Sequence, residues 1–246
     1  MLPRIYGHRG VVEYAPENSI SGAYIAKVLK VGAIEIDAQL SADNYPIVFH
    51  DTTLDRCTGE PGIVCQKKYR DLYKYDISSY MNQKVSIYKN ERIPLLKTML
   101  KVCHTMNIFV NTEIKADSDD DLATPLLVCE CIKKYSSSNN TVVSSYSIKA
   151  LEIAKYIIPD FKRMYIVDEI PNNWIEILEK YECYGMVISK DHNSIDDIIA
   201  ISNRGFDIYV FTVNDKDTFD ILSKYGIGII TDYPCTLSNS NDALET

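Results

Sequence analysis

No apolar run in the 246 residues approaches the ~18 needed for a membrane span, so a stable membrane anchor is not expected. The N-terminus runs directly into Pro3-Arg4-Ile5-Tyr6-Gly7-His8, without a charged-then-apolar leader. Basic stripes and basic amphipathic helices are also missing. With a formal net charge of -8, this argues against nucleic acid or an anionic membrane surface as the main partner. No C-x-x-C pair is present among the seven cysteines, which are odd in number and scattered. Reduced thiols in a cytoplasmic protein are the simplest expectation. What is present is ordinary for a globular chain, 46% hydrophobic and 24% charged, and the length can bury a sizeable core.

Eight short apolar segments read as strands: Arg4 to His8, Ala33 to Leu40, Ile108 to Ile114, Thr141 to Tyr146, Arg163 to Val167, Gly185 to Ser189, Asp207 to Val213 and Gly228 to Thr231. Helical patterns separate most of them, at Ser19 to Val31, Asp121 to Tyr135, Ile148 to Ile157, Asn173 to Tyr181, Ile195 to Arg204 and Lys216 to Tyr225. Ser194-Ile195-Asp196-Asp197 reads as a variant capping box and Asp215 as an N-cap. Eight strands with intervening helices in a length near the ~250 residues typical of such folds predict an α/β (β/α)8 TIM barrel, with a doubly wound open sheet as the alternative. One stretch, 52–93, breaks the alternation with Gly59, Pro61, Gly62, many Tyr and Lys and no long helical period. It is expected to be an insertion after the second strand, packed over the barrel mouth, within a single domain spanning 1–246.

Charge falls where strands should be apolar. In Ala33-Ile34-Glu35-Ile36-Asp37-Ala38, two carboxylates at i and i+2 leave the strand on one face, and Asn111, Glu113 and Lys115 share a face of the third. Either strand alone could be an edge strand with one wet face. However, both begin apolar and become charged only toward their C-terminal ends, where a parallel barrel carries its chemistry. Glu35, Asp37 and Glu113 brought together would repel one another unless protonated or bound to a cation, and an all-oxygen set points to Mg²⁺ or Ca²⁺ rather than Zn²⁺. Of only four histidines, His8 follows the first strand beside Arg9, and His50 precedes Asp51. His104 falls in an apparent helix and His192 in a polar loop, and neither is a candidate. The lone Trp174 opens an apparent helix and reads as core.

Taken in order, His8-Arg9-Gly10, Pro16-Glu17-Asn18-Ser19, Gly32 to Leu40, Pro46-Ile47-Val48-Phe49-His50-Asp51, Ile93-Pro94-Leu95-Leu96, Thr112-Glu113-Ile114-Lys115 and Gly228 to Pro234 resemble the glycerophosphodiester phosphodiesterase family. The resemblance implies a TIM barrel with an insertion after the second strand. It also implies divalent-cation-dependent hydrolysis of small glycerophosphodiesters to sn-glycerol 3-phosphate and an alcohol. Carried over residue by residue, it implies His8 and His50 as the acid-base pair, Glu35, Asp37 and Glu113 as metal ligands, and Arg9 and Lys115 as phosphate ligands. Where the family has Trp-Thr-Val-Asn this chain has Phe211-Thr212-Val213-Asn214, so Phe211 would keep an aromatic wall for substrate without the indole donor. Glu17 and Asn18 are expected to shape the first loop, and Asp51 to orient His50 or reach the metal shell. Two other functions fit the same motifs: a lysophospholipase D-like enzyme acting on lysophospholipids, and a phosphate-binding barrel without turnover.

Overall fold

The computed structural model describes residues 2–78, 89–116, 118 and 121–238. Eight parallel strands close into a barrel: β1 (Ile5–Gly7), β2 (Ala33–Leu40), β4 (Phe109–Ile114), β5 (Thr141–Ser145), β6 (Lys162–Val167), β7 (Gly185–Ser189), β8 (Asp207–Phe211) and β9 (Gly228–Thr231). Closure comes from β1, which pairs with β9 on one side and β2 on the other. Each of the eight expected strands is present. A ninth, β3 (Pro46–Val48), pairs antiparallel with β2 outside the barrel and has too few residues to announce itself by period.

The pleat sorts the side chains. Ile34, Ile36, Val110, Val143, Met186, Ile188 and Val210 point outward, into two apolar clusters shared with the helices. Those helices include α1 (Ile20–Val28), α4 (Leu96–Thr105), α5 (Ala123–Tyr135), α6 (Ile148–Ile157), α7 (Trp174–Lys180), α8 (Ile195–Ser202) and α9 (Lys216–Lys224). Trp174 is buried in the second cluster, against Phe206. The inward positions Tyr6, Ala33, Val142, Met164, Val187, Tyr209 and Ile230 fill the lumen, so the barrel is a packed core rather than a pore. Above that layer the lumen positions of β2 and β4 become Glu35, Asp37, Asn111 and Glu113. The β2–β4 register sets Glu35 beside Asn111 and Asp37 beside Glu113.

Between β3 and α4 the chain forms short helices α2 (Asp55–Thr58) and α3 (Tyr69–Leu72) around a separate apolar cluster that includes Phe49, Leu54, Cys57, Leu72 and Ile93. An isolated bridge from Ile47 to Leu95 ties its two ends together. Residues 79–88 of the expected insertion lie outside the described residues.

Helix starts follow the caps read from sequence. Ser194 Oγ accepts from the Asp197 N–H at 3.1 Å and donates to the Asp197 carboxylate at 2.6 Å. The Asp215 carboxylate accepts from the Thr218 N–H at 2.9 Å. Hydrogen bonds from the Thr218 side chain and backbone, aided by Lys190, outweigh the small burial cost and hold the Asp215 carboxyl at a pKa of about 2. Asp215→Ala should therefore cost about 1 kcal/mol at neutral pH. Because the folded pKa is depressed, the cap's charge contribution is complete above about pH 4 and is lost as pH falls toward 2. The melting-temperature gap between wild type and Asp215→Ala, measured by calorimetry, should narrow across that interval.

Candidate active site

The first loop owes its shape to close approach. A Cβ on Gly7 would lie 1.9 Å from the Gly10 carbonyl oxygen, so only glycine lets the chain leave β1 along this path. Arg9 then adopts φ 51°, a left-handed conformation costing of order 1 kcal/mol for a residue with a Cβ. Tertiary contacts hold it there. The Arg9 N–H donates to Glu35 Oε2 at 2.9 Å, its carbonyl accepts from the Asn18 N–H at 2.8 Å, and its Nη1 donates to Glu17 at 3.2 Å.

Glu35, Asp37 and Glu113 each present a carboxylate oxygen within 4.8 Å of the others, the one such cluster of three among the described residues. Asp37 is 1% exposed. It accepts from Asn18 Nδ2 at 2.8 Å and ion-pairs with Arg9 and Lys115, each at 3.6 Å. Burial pushes its carboxyl up, but Lys115, His50, Arg9 and Asn18 outweigh burial and hold it below the usual carboxylate range. Glu113 accepts from Lys115 Nζ at 3.0 Å, yet burial and the neighbouring Asp37 raise its pKa. Glu35 is the extreme case: burial, then Asp37 and Glu113, drive it well above normal. Its Oε1 is buried without a hydrogen-bond partner. An orphaned carboxylate oxygen facing two more carboxylates is a donor set suited to a hard divalent cation.

Two histidines flank this cluster, each held at Nδ1 by a carboxylate. His8 Nδ1 lies 2.7 Å from Asp232 Oδ1, and Asn214 Nδ2 fixes Asp232 Oδ2 at 2.7 Å. His50 Nδ1 lies 2.6 Å from Asp51 Oδ1. The loop carrying His50 is anchored to β2, because the buried Gln39 amide donates to the carbonyls of Phe49 at 2.8 Å and Asp51 at 2.9 Å. Partial burial lowers the His50 pKa and favours the neutral imidazole. With Nδ1 occupied, Nε2 is the nitrogen left to the pocket in both rings.

His8, Arg9, Glu35, Asp37, His50, Glu113, Lys115 and Phe211 all line one pocket. Every candidate site residue is thus brought together. Its far wall is Phe211 edge-on to Tyr146, ring centroids 6.5 Å apart, over an apolar floor of Ile166, Val187 and Ile230. A larger open groove on the α2–α3 segment lies apart from the carboxylates; in it Lys74 pairs with Asp71 at 2.6 Å and Lys67 lies over Tyr75. His104 sits in α4 bonded to Asn140, and His192 in a 3-10 turn; neither reaches the pocket.

The sequence patterns single out none of Asp232, Gln39, Tyr146 and Arg56 as a site residue. Asp232 had a signal, because it lies inside the Thr231-Asp232-Tyr233-Pro234 motif. Arg56 had none, since its partners are set by loop packing. Asn18 does more than shape the loop: it exchanges two hydrogen bonds with Asp37, the second being the Asp37 N–H to Asn18 Oδ1 at 3.1 Å. Asn18→Ala would leave a buried carboxylate short of a donor and should cost about 1–3 kcal/mol. Thermal denaturation should read this as a drop of several degrees, on the order of 2–4 °C per kcal/mol for a chain of this size.

The family model for the glycerophosphoryl diester phosphodiesterase family matches residues 8–236. A glycerophosphodiester phosphodiesterase of Caldanaerobacter subterraneus subsp. tengcongensis is 28% identical over 97% of this chain and 98% of its own. Glycerophosphodiester phosphodiesterase 1 of Bos taurus is 28% identical over 92% of this chain and 76% of its own. Among solved structures, an Oleispira antarctica phosphodiesterase in complex with the product sn-glycerol-3-phosphate superposes with a TM-score of 0.90 at 29% identity, covering 98% of this chain and 97% of that one. With the match running from His8 through the last barrel strand, the chain belongs to the glycerophosphoryl diester phosphodiesterase family and is a phosphoric diester hydrolase.

Proposed function

We propose that this chain hydrolyses small glycerophosphodiesters to sn-glycerol 3-phosphate and an alcohol, with residues 52–93 as an insertion in one TIM-barrel domain. The observation that carries this reading is the meeting, in one pocket, of two carboxylate-backed imidazoles, two cations and three clustered carboxylates. The product held by the Oleispira antarctica structure is in keeping with it.

In this reading Glu35, Asp37 and Glu113 hold one divalent cation, Mg²⁺ or Ca²⁺, which when bound supplies positive charge to a phosphate oxygen. Arg9 and Lys115 bind the remaining phosphate charge; the planar guanidinium suits two oxygens at once, and the ammonium serves as a point charge. Neutral His50 takes a proton at Nε2 from the attacking oxygen, either water, or a neighbouring glycerol hydroxyl whose cyclic phosphate product is then opened by water to sn-glycerol 3-phosphate. As the phosphorus–oxygen bond to the alcohol breaks, His8 gives a proton from Nε2 to the departing oxygen. Asp51 and Asp232 stabilise the charged imidazoles and fix their tautomers. Phe211 and Tyr146 form a wall against which the glycerol carbons pack. The seven free thiols agree with a reducing, cytoplasmic setting, and no helix among the described residues is long and apolar enough to cross a membrane.

His50→Ala should lower kcat by about 10²- to 10⁴-fold while leaving the melting temperature nearly unchanged. His8→Ala should be equally impaired on glycerophosphocholine but largely spared on a p-nitrophenyl diester, whose leaving group departs without a proton. Equal losses on both substrates would remove His8 from the acid role. Mg²⁺ or Ca²⁺ at 100 times its dissociation constant should raise wild-type stability by about 2.7 kcal/mol. Thermal shift assays should find that gain reduced in Glu35→Gln, which would also need more cation for turnover. Release of sn-glycerol 3-phosphate from glycerophosphocholine, beside lysophosphatidylcholine, tests the substrate. Release of lysophosphatidic acid instead would move it to lysophospholipids, and silence on both would leave a binding barrel.

A further inference from the structure

Arg56 lies on α2, outside the pocket lining, yet its guanidinium bridges the two carboxylates that support the site. Nε and Nη2 donate to Asp51 Oδ2 and Oδ1 at 2.7 and 2.8 Å. Nη1 and Nη2 donate to Glu17 Oε2 and Oε1, both at 2.7 Å. Four short charge-assisted bonds in two bidentate forks use a planar donor array that a lysine cannot reproduce.

Each bridged carboxylate has a second duty. Asp51 Oδ1, the oxygen that Nη2 holds, also faces His50 Nδ1 at 2.6 Å. Glu17 Oε1, likewise held by Nη2, accepts from Arg9 Nη1 at 3.2 Å. One side chain from the α2–α3 segment therefore sets the plane of the carboxylate behind His50 and that of the carboxylate behind Arg9. The anchoring is asymmetric: the Glu17 side chain is 8% exposed, whereas that of Arg56 is 44% exposed. The buried end fixes the guanidinium, and the guanidinium orients Asp51. Leu54 and Cys57, on either side of Arg56, are buried in the separate apolar cluster of this segment, which holds the α2 backbone in place.

We propose that Arg56 is a positioning residue. Through Asp51 it fixes the orientation and the Nδ1–H tautomer of His50, and through Glu17 it restrains Arg9, so the segment between β3 and α4 is coupled to the proton-transfer geometry. The kinetic part rests on the acid-base reading of His50, but the positioning itself is observable without turnover. The carboxylate behind His50 must be ionised to keep the proton on the ring. Against the cost of partial burial, the Arg56 and His50 hydrogen bonds hold the Asp51 carboxyl at a pKa of about 2, in agreement with the geometry.

The test compares wild type with Arg56→Ala, Arg56→Lys, Asp51→Ala and the double variant Arg56→Ala/Asp51→Ala, using proton NMR of ring-¹⁵N histidine-labelled protein, circular dichroism and kinetics on glycerophosphocholine. Wild type should show a downfield His50 Nδ1–H resonance, assigned by its loss in His50→Ala. Arg56→Ala should lose or shift it while the fold measured by circular dichroism is kept. Second-sphere losses of this kind run to about 10–100-fold, expected here in kcat with a smaller change in KM. Lysine should restore little of it. In the Asp51→Ala background, removing Arg56 should cost far less than in wild type, because both act along one chain. An unchanged resonance in Arg56→Ala, or full additivity of the two substitutions, would overturn the proposal. If Arg56→Ala fails to fold, the same resonance in Arg56→Lys decides. A wild type that shows the resonance but no diester hydrolysis would refute the proposed function while leaving the positioning to be judged by the NMR comparison alone.

Discussion

Gathering three carboxylates, two of them buried, within 4.8 Å of one another is the constraint around which the upper half of this barrel is organised. Taking such charges out of water costs several kcal/mol each unless partners replace the solvent. Asp37 is supplied with Asn18, Arg9 and Lys115; Glu113 with Lys115; Glu35 with one backbone N–H. The supply is incomplete, and the deficit is localised on Glu35 Oε1. The strained Arg9, the left-handed Asn18 and the tight Gly7–Gly10 turn all serve to bring donors to this spot. Local backbone preference has been set aside for the electrostatics of the site.

The barrel makes such an arrangement affordable. Its lower lumen is filled by Tyr6, Met164, Val187, Tyr209 and Ile230, and its outer face packs against helices, so the apolar burial that stabilises the fold does not depend on the rim. Polar side chains concentrate on the adjacent strands β2 and β4, at the level where the packed layers end. The Phe211 ring in the far wall and the floor of Ile166, Val187 and Ile230 are apolar. The pocket thus has a charged side for a phosphate and an apolar side for carbon, a division set by which strands carry carboxylates at inward positions.

Around the charged side the support follows one pattern. Each histidine has a carboxylate at Nδ1, and each of those carboxylates is itself held, Asp232 by Asn214 and Asp51 by Arg56. The two chains of contacts come from opposite ends of the sequence, one from the turns after β8 and β9 and one from the segment after β3. Orientation of the imidazoles is therefore shared between the barrel and the segment packed beside it.

The sequence by itself determined the architecture and most of the pocket. Parallel barrel strands are apolar on both faces, so eight short apolar runs between helical patterns were legible, and period-two alternation exposed Glu35, Asp37, Glu113 and Lys115 as sharing inward faces. Strand β3 escaped because three residues carry no period. What only the tertiary structure decided was which groups meet: His8 and Asp232 are 224 residues apart and touch because β1 pairs with β9. Arg56 reaches Glu17, 39 positions earlier, because α2 packs beside the first loop. Periodicity reports the face on which a side chain sits, whereas a contact between distant segments depends on barrel closure and loop packing, which no local pattern encodes.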